Sequence, residues 1–276
     1  SPQTRTETSH ADAPAEGETA ADAAFYASAL ERLRADLSAH TRDGHAFRVD
    51  FRLRPHGTSG PLVQGRTAVS RYYRESAAPW EHQALLKLAP IAGNLELGRR
   101  LLREVAPGTA AGWDKETVLG SIERLRAEAV RQSRKRGEDI KSGEGGIRDI
   151  EFAVQGVQLI NAVGHPDVIT GNTFEAIDRL ADAGIIGGET ASSLRRDYEL
   201  LRRVEHFLQV FEDRQVHNLP ADDRAREALA RRLGVPDGEE ARPLEEVEAT
   251  RRRVRERYER FLETGTLELS PAKDVS

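Results

Sequence analysis

Between Phe47 and Leu53 apolar and polar residues alternate, with Phe47, Val49, Phe51 and Leu53 on one side and Arg48, Asp50, Arg52 and Arg54 on the other. Side chains of a strand point to opposite faces in turn, so this period of two predicts a short strand with one face for a core. The other face sets Asp50 among arginines, a surface suited to anions or a metal. Pro55 ends the run, His56-Gly57-Thr58-Ser59-Gly60 supplies turn residues, and Pro61-Leu62-Val63 reads as a return strand. The expectation is an antiparallel hairpin, and an edge hairpin with a merely wet polar face fits the same pattern.

Outside that segment the period is helical. Phe25, Leu30, Leu33 and Leu37 fall on or near one stripe, which predicts a helix over 23–39 packed against the hairpin. Helices are also expected at 66–77, from Pro79-Trp80-Glu81-His82 onward, and from a cap at Asp114 along Val118, Ile122 and Leu125 into the basic run Arg131 to Arg136. Five more are expected at 147–163, 173–183, 188–214, 221–233 and 243–263. The fold class that follows is mainly α with a small antiparallel β part. No internal repeat is visible, and Gly234, Pro236 and Gly238 mark a linker over 234–242.

Composition narrows the classes of function. The chain has 276 residues, enough for one large or two smaller domains, and no apolar run approaches the roughly 20 residues of a membrane helix. Zero Cys removes disulfides, thiol nucleophiles and Cys-ligated zinc, so a reducing, cytoplasmic setting is the default. A metal would have to be held by oxygen or imidazole, and carboxylate oxygens suit Mg²⁺ or Mn²⁺. The net charge of −5 argues against a nucleic-acid coat, although individual arginines can still grip phosphate with their planar forks. The chain opens at Ser1 and has no Met, which reads as a fragment or processed piece.

Three further segments could carry chemistry. Lys141-Ser142-Gly143-Glu144-Gly145-Gly146 leads into Ile147-Arg148-Asp149-Ile150-Glu151-Phe152, and glycines ahead of a helix let backbone N–H groups approach an anion. On that helix Arg148, Glu151, Gln155 and Gln158 form a polar stripe, which reads either as a wet surface or as a functional wall. Glu205 shares a face with Tyr198, Leu201 and Leu208, and a carboxylate on an apolar arc is usually paired with a buried Arg. The eight His show no paired zinc spacing, and the arginines from Arg251 to Arg260, alternating with Glu256 and Glu259, read as a solvated helix face.

In combination these segments resemble the bifunctional glutamine synthetase adenylyltransferase/adenylyl-removing enzymes, of the polymerase-β-like nucleotidyltransferase superfamily. The resemblance is carried by Phe47-Arg48-Val49-Asp50-Phe51-Arg52-Leu53-Arg54-Pro55, Gly57-x-Ser59-Gly60-Pro61-Leu62-Val63, Trp80-Glu81-His82-Gln83-Ala84-Leu85 and Gly145-Gly146-Ile147-Arg148-Asp149-Ile150-Glu151-Phe152. It continues through Leu200 to Gln209 and Asn218-Leu219-Pro220, and covers roughly residues 23–233. That family has two homologous halves, one adding AMP to a tyrosine of glutamine synthetase and one removing it by phosphorolysis. The stretch from Ile140 to Pro220 is more similar to the removing half, while Trp80-Glu81-His82-Gln83 also resembles the adding half.

What the resemblance implies is specific. The fold becomes the end of an α+β nucleotidyltransferase palm followed by a helical bundle: a leader or loop over 1–22, palm over 23–93, bundle over 94–233, and linker with terminal helix over 234–276. Asp50 becomes the third carboxylate of a site for Mg²⁺ or Mn²⁺, as transfer at an α-phosphorus needs charge neutralised around the attacking oxygen. Arg52, Arg54 and Arg148 become phosphate or nucleotide ligands, and Glu151 a catalytic group on the helical side. The partners implied are glutamine synthetase, a PII-type regulatory protein, ATP or ADP, and phosphate. One departure stands out: the family's Gly-Ser and Ser-Asp-x-Asp pair has no match in residues 1–46, so these 276 residues alone are expected to be inactive. The competing expectation is a non-catalytic helical module that docks glutamine synthetase or a regulatory protein.

Overall fold

A computed structural model describes residues 20–42, 44, 47, 49–109, 113–133, 139–212, 219, 224, 228–229, 231 and 241–268. The chain divides into two compact units, Ser1–Ala77 with Ala92–Val105 and Ala78–Ile91 with Ala106–Ser276.

The described residues contain no strand, and among them the alternating segment joins no ladder. One isolated bridge joins Thr41 to Gly44. The expected hairpin is thereby corrected, along with the small antiparallel β part and the palm sheet inferred from it: the fold is helical. Alternation makes a strand only where a neighbour completes the hydrogen-bond ladder. Here Phe47 N–H donates to Leu37 C=O at 2.9 Å, and Gly57 N–H closes a tight turn onto Arg54 C=O at 2.8 Å. Gly57–Ser59 then winds a short 3₁₀ turn in place of the hairpin bend. Phe47 and Leu53 remain 66 % and 73 % exposed, and Val49 and Phe51 are only half-buried, so no residue of the apolar face is fully buried.

Three helical segments complete this first unit. Helix α1 (Ala20–Ser38) starts ahead of its expected boundary, and without a sheet its apolar stripe stays open, Phe25 being 70 % exposed. Helix α2 (Arg66–Glu75) is tied to α4 (Leu95–Thr109), where Glu104 pairs with Arg66 and accepts from Ser70 Oγ at 2.6 Å. Sequence reading passed over α4, because Gly98 and Pro107 punctuate it.

The second unit holds the hydrophobic core. It comprises α3 (Pro79–Leu85), α5 (Lys115–Ser133), α6 (Ile147–Asn161), α7 (Thr173–Asp182), α8 (Gly188–Glu212) and α9 (Ala241–Thr264). Asp114 caps α5 as expected: its carboxylate accepts from Thr117 N–H at 2.8 Å and Thr117 Oγ at 2.6 Å. Asn172 caps α7 in the same way, accepting from the N–H groups of Phe174 and Glu175. Helix α6 lies at the centre, against α5, α7, α8 and α9, with Ile147, Ile150, Ala153, Val154, Val157 and Leu159 buried. A helix enclosed from several sides is apolar over most of its circumference.

One glycine makes this enclosure possible. At Gly156 an added Cβ would lie 2.3 Å from Phe261 Cζ and 2.7 Å from Ile122 Cδ1, so α5 and α9 close onto bare α6 backbone. On α9 itself Val254, Tyr258 and Phe261 are buried. Arg257 is buried with them beside Asp197, where burial lowers its pKa, so that part of the arginine run is not a solvated face. The expected helix over 221–233 and the linker beyond it fall mostly outside the described residues.

Candidate functional site

In the first unit Asp50 lies on the extended segment ahead of Pro55, with its carboxylate in the fork of Arg52. Arg52 Nη2 reaches Oδ2 at 2.6 Å, Nε lies 3.0 and 2.9 Å from the two oxygens, and the Arg52 N–H donates to Oδ1 at 2.9 Å. The pair is solvent-exposed, and the side-chain hydrogen bond to Asp50, then its charge, raises the Arg52 pKa. Arg54 is directed otherwise: its guanidinium donates to Phe51 C=O at 2.5 Å and to Gly60 C=O at 3.1 Å, stapling the turn. Arg48 lies outside the described residues. Among the described residues no three His, Asp or Glu side chains lie together to hold a metal ion. The residues present therefore do not by themselves fit a metal centre at Asp50.

In the second unit the loop ahead of α6 turns out to be a closed structural turn. Gly143 N–H donates to Asp139 C=O, Gly146 to Gly143, Ile147 to Ile140 and Arg148 to Lys141, all at 2.8–3.1 Å. The N–H groups of Lys141 and Ser142 both go to Asp139 Oδ1 at 2.8 Å, and that of Gly145 goes to Asp149 Oδ2 at 2.7 Å. With these donors engaged, the loop offers no cradle for an anion. The glycines serve close approach. Gly145 sits at φ +69°, and a Cβ there would lie 2.0 Å from Arg251 C=O.

Asp149 and Arg126 anchor this turn. Asp149 is fully buried, and Arg126 from α5 pairs with it while donating to Ser142 C=O at 2.9 Å and Gly143 C=O at 2.8 Å. Burial pushes the Asp149 carboxyl up from its ordinary pKa, against the pull of Arg126 and the Gly145 N–H. Sequence reasoning missed Arg126. Its signal was an arginine on the apolar stripe, four residues after Ile122 and three before Ala129.

Glu151 follows within one turn of Asp149 and is largely buried, its side chain 17 % exposed. Its Oε1 accepts two bonds, from Tyr198 Oη on α8 and from Lys87 Nζ just after α3, each at 3.0 Å. Burial, then the Glu151 charge, pushes the Tyr198 phenol up to about 12, so at neutral pH it stays a donor. Seven residues along α8, Glu205 is 3 % exposed and pairs with Lys141 at 3.0 Å and Arg202 at 2.6 Å. The expectation of a paired carboxylate there is met, though both partners are partly exposed cations.

The polar stripe of α6 proves to be mostly interior. Gln155 and Gln158 are buried; Gln155 Oε1 accepts from Gln83 Nε2 at 2.7 Å, and Gln158 Nε2 donates to Val168 C=O at 2.7 Å. The two glutamines bind α3 and the loop before α7 to α6, so neither is a wet surface residue. Arg148 keeps a half-buried position at the start of the stripe. Asp50, Arg52 and Arg54 thus belong to one unit, and Arg148 and Glu151 to the other.

Two family models match the chain: "Glutamate-ammonia ligase adenylyltransferase" over residues 6–104 and "GlnD PII-uridylyltransferase" over residues 121–264. Among curated proteins, the bifunctional glutamine synthetase adenylyltransferase/adenylyl-removing enzyme of Thioalkalivibrio sulfidiphilus is 37 % identical over 237 residues, which cover 85 % of this chain and 24 % of the relative. Proteins of the same name from Methylococcus capsulatus and Cutibacterium acnes are 36 % identical over 265 residues and 38 % over 210. These matches cover 91 % and 74 % of the chain, and 28 % and 21 % of the relatives. The chain spans about a quarter of the length of the curated relatives it matches. From the succession of the two family models, and from relatives aligned across most of its residues, the chain belongs to the glutamine synthetase adenylyltransferase/adenylyl-removing enzyme family.

Proposed function

We propose that this chain works as part of a nucleotidyltransferase that adds AMP to a tyrosine of glutamine synthetase or removes it by phosphorolysis. The observation that carries the reading is the continuity of the match, in which relatives bearing that name align over as much as 91 % of these residues. Within it Asp50 is one carboxylate of a site for Mg²⁺ or Mn²⁺, its companions supplied from outside the described residues. Such an ion, held by Asp50 with those companions, would supply neutralisation of the phosphate charge.

The chain's own groups have separate tasks on this reading. Arg52, exposed and able to exchange its carboxylate for an anion, contacts phosphate. Arg148, in the second unit, is a guanidinium able to contact an anion there. Glu151, held by Tyr198 and Lys87, accepts a hydrogen bond or proton from the substrate. Arg54 shapes the turn that presents Asp50, as its donors already serve the carbonyls of Phe51 and Gly60. ATP or ADP and phosphate are the small substrates, glutamine synthetase the protein substrate, a PII-type protein the regulator, and the cytoplasm the location. Among the described residues no helix is long and apolar enough to cross a membrane.

The test places this sequence in a full-length enzyme of the family, in exchange for the residues it matches, and measures AMP gain and loss on glutamine synthetase. Asp50→Asn is expected to abolish turnover in the half concerned without unfolding the protein. Turnover retained in both Asp50→Asn and Glu151→Gln would sink the assignment. One observation favours a second reading: Asp50 is already an ion-pair partner of Arg52, as it would be in a non-catalytic module that docks glutamine synthetase. In that case Asp50→Asn leaves binding of glutamine synthetase unchanged and there is no turnover to lose.

A further inference from the structure

Among the described residues, Glu151 carries two donors on one oxygen and none on the other. Tyr198 Oη and Lys87 Nζ both end on Oε1, and among the described residues no hydrogen bond reaches Oε2. An ionised carboxylate only accepts, so saturating one oxygen leaves a single set of lone pairs for a partner. The two donors come from different places, α8 and the turn just after α3, and they fix the carboxylate from two directions.

The side chain that does most of this holding is itself immobilised. Tyr198 is 7 % exposed and packs edge-on against Phe174 of α7, with ring centroids 5.0 Å apart. The Arg202 charge acts on the phenol from the same helix, α8. Lys87 is the looser partner, its side chain 45 % exposed. A phenol gripped by packing and aimed at a carboxylate is a costly arrangement for stability alone, since a buried hydroxyl and a buried carboxylate both lose hydration. Where such a carboxylate must meet a substrate in one orientation, the arrangement has a use.

We propose that Tyr198 is a positioning residue, which with Lys87 turns Glu151 so that Oε2 alone faces the substrate. The inference rests on the reading of Glu151 as the carboxylate of a nucleotidyltransferase site. It adds the residue that orients it and the oxygen that acts. With Arg148 one helical turn earlier, the surface offers a donor beside an acceptor, which suits a substrate bearing a hydroxyl next to a phosphate.

Two measurements test it. On this chain alone, ¹³C relaxation at the Glu151 side chain is compared between the parent protein and Tyr198→Phe, which keeps the ring against Phe174. The Glu151 side chain is expected to gain mobility in the variant while the backbone of α6 and α8 stays ordered. Lys87→Met, the second variant, has the smaller effect. Unchanged Glu151 order in Tyr198→Phe would overturn the proposal. In a full-length family enzyme carrying this sequence, Tyr198→Phe is expected to lower kcat about tenfold through the lost orientation of the carboxylate, with KM for adenylylated glutamine synthetase unchanged. Unaltered kcat, or a rise in KM alone, would also overturn it. If that enzyme shows no turnover even before substitution, the functional reading fails, and the relaxation measurement still decides whether Tyr198 positions Glu151.

Discussion

Removing one half of the Arg126–Asp149 pair is the sharpest perturbation this fold offers. Asp149→Asn preserves shape but leaves a guanidinium whose side chain is 4 % exposed without its counter-charge. Arg126→Met removes the donor of two further bonds, to the carbonyls of Ser142 and Gly143, and leaves the buried carboxylate, among the described residues, with the Gly145 N–H as its hydrogen-bond donor. Breaking a buried pair by deleting one partner costs about 3–5 kcal/mol, most of it for the charge left behind. The double variant relieves that penalty, so its loss should fall short of the sum of the singles by about 1–3 kcal/mol. Urea unfolding followed by circular dichroism and by the fluorescence of Trp113, which packs against the core, gives the three values. With a slope of about 2 kcal/mol per molar urea, each single variant should unfold at a midpoint roughly 2 M lower. Singles that each lose under about 1 kcal/mol, or a strictly additive double, would refute the claim that this pair anchors the turn before α6.

Three further outcomes follow from the packing and the caps. Gly156→Ala gains about 1 kcal/mol of helix propensity but drives a methyl into Phe261 and Ile122, where overpacking costs about 1–3 kcal/mol. A net loss on chemical denaturation is expected, with recovery in Gly156→Ala/Phe261→Leu. Gly145 and Gly57 both have positive φ, yet only Gly145 also faces backbone at 2.0 Å while Gly57 has nothing within 4 Å. Gly57→Ala should therefore cost about 1–2 kcal/mol, the left-handed strain alone, and Gly145→Ala should cost distinctly more in the same thermal melts. The Asp114 carboxyl is held below its usual pKa by the Thr117 hydroxyl and then the Thr117 N–H. A depressed folded-state pKa stabilises above the unfolded value of about 3.9 and loses that stability as pH falls through the folded value. Asp114→Ala should thus destabilise the chain at pH 7 and cease to matter in strong acid; equal loss at both pH values would contradict the cap.

How far the sequence discloses this molecule depends on how local each determinant is. Helices whose stripes and caps lie within a few residues were legible: Asp114 announced α5, Pro79 opened α3, and the pattern after Gly146 gave α6 to within two residues of its end. The Phe47–Leu53 alternation was equally clear, yet it specifies only what a strand would look like if another strand arrived. Among the described residues none does, and Arg54 and the 3₁₀ turn take the backbone groups instead. Helix α4 failed in the opposite sense. Its Leu97, Leu101, Leu102 and Val105 have helical spacing, but Gly98 and Pro107 read as breaks.

The candidate site divides along the same line. That Glu151 and Glu205 are special could be read from a carboxylate placed on an otherwise apolar or mixed helix face, because burial of an acid demands a partner. Which groups answer that demand could not be read, as Tyr198 is 47 residues from Glu151, and Lys87 is 64 residues away in the other direction. The glycine-rich lead-in shows why motif and site differ. Its spacing matches an anion loop as well as a tight turn, and only the tally of N–H groups separates the two: seven of them, from Lys141 to Arg148 with Glu144 aside, end on the protein's own oxygens. A loop whose donors are consumed internally can position a helix but cannot grip a phosphate. On the proposed reading, contact with an anion in this unit falls to side chains such as Arg148, and the worth of the glycines lies in bringing Asp149 and Glu151 to their places on α6.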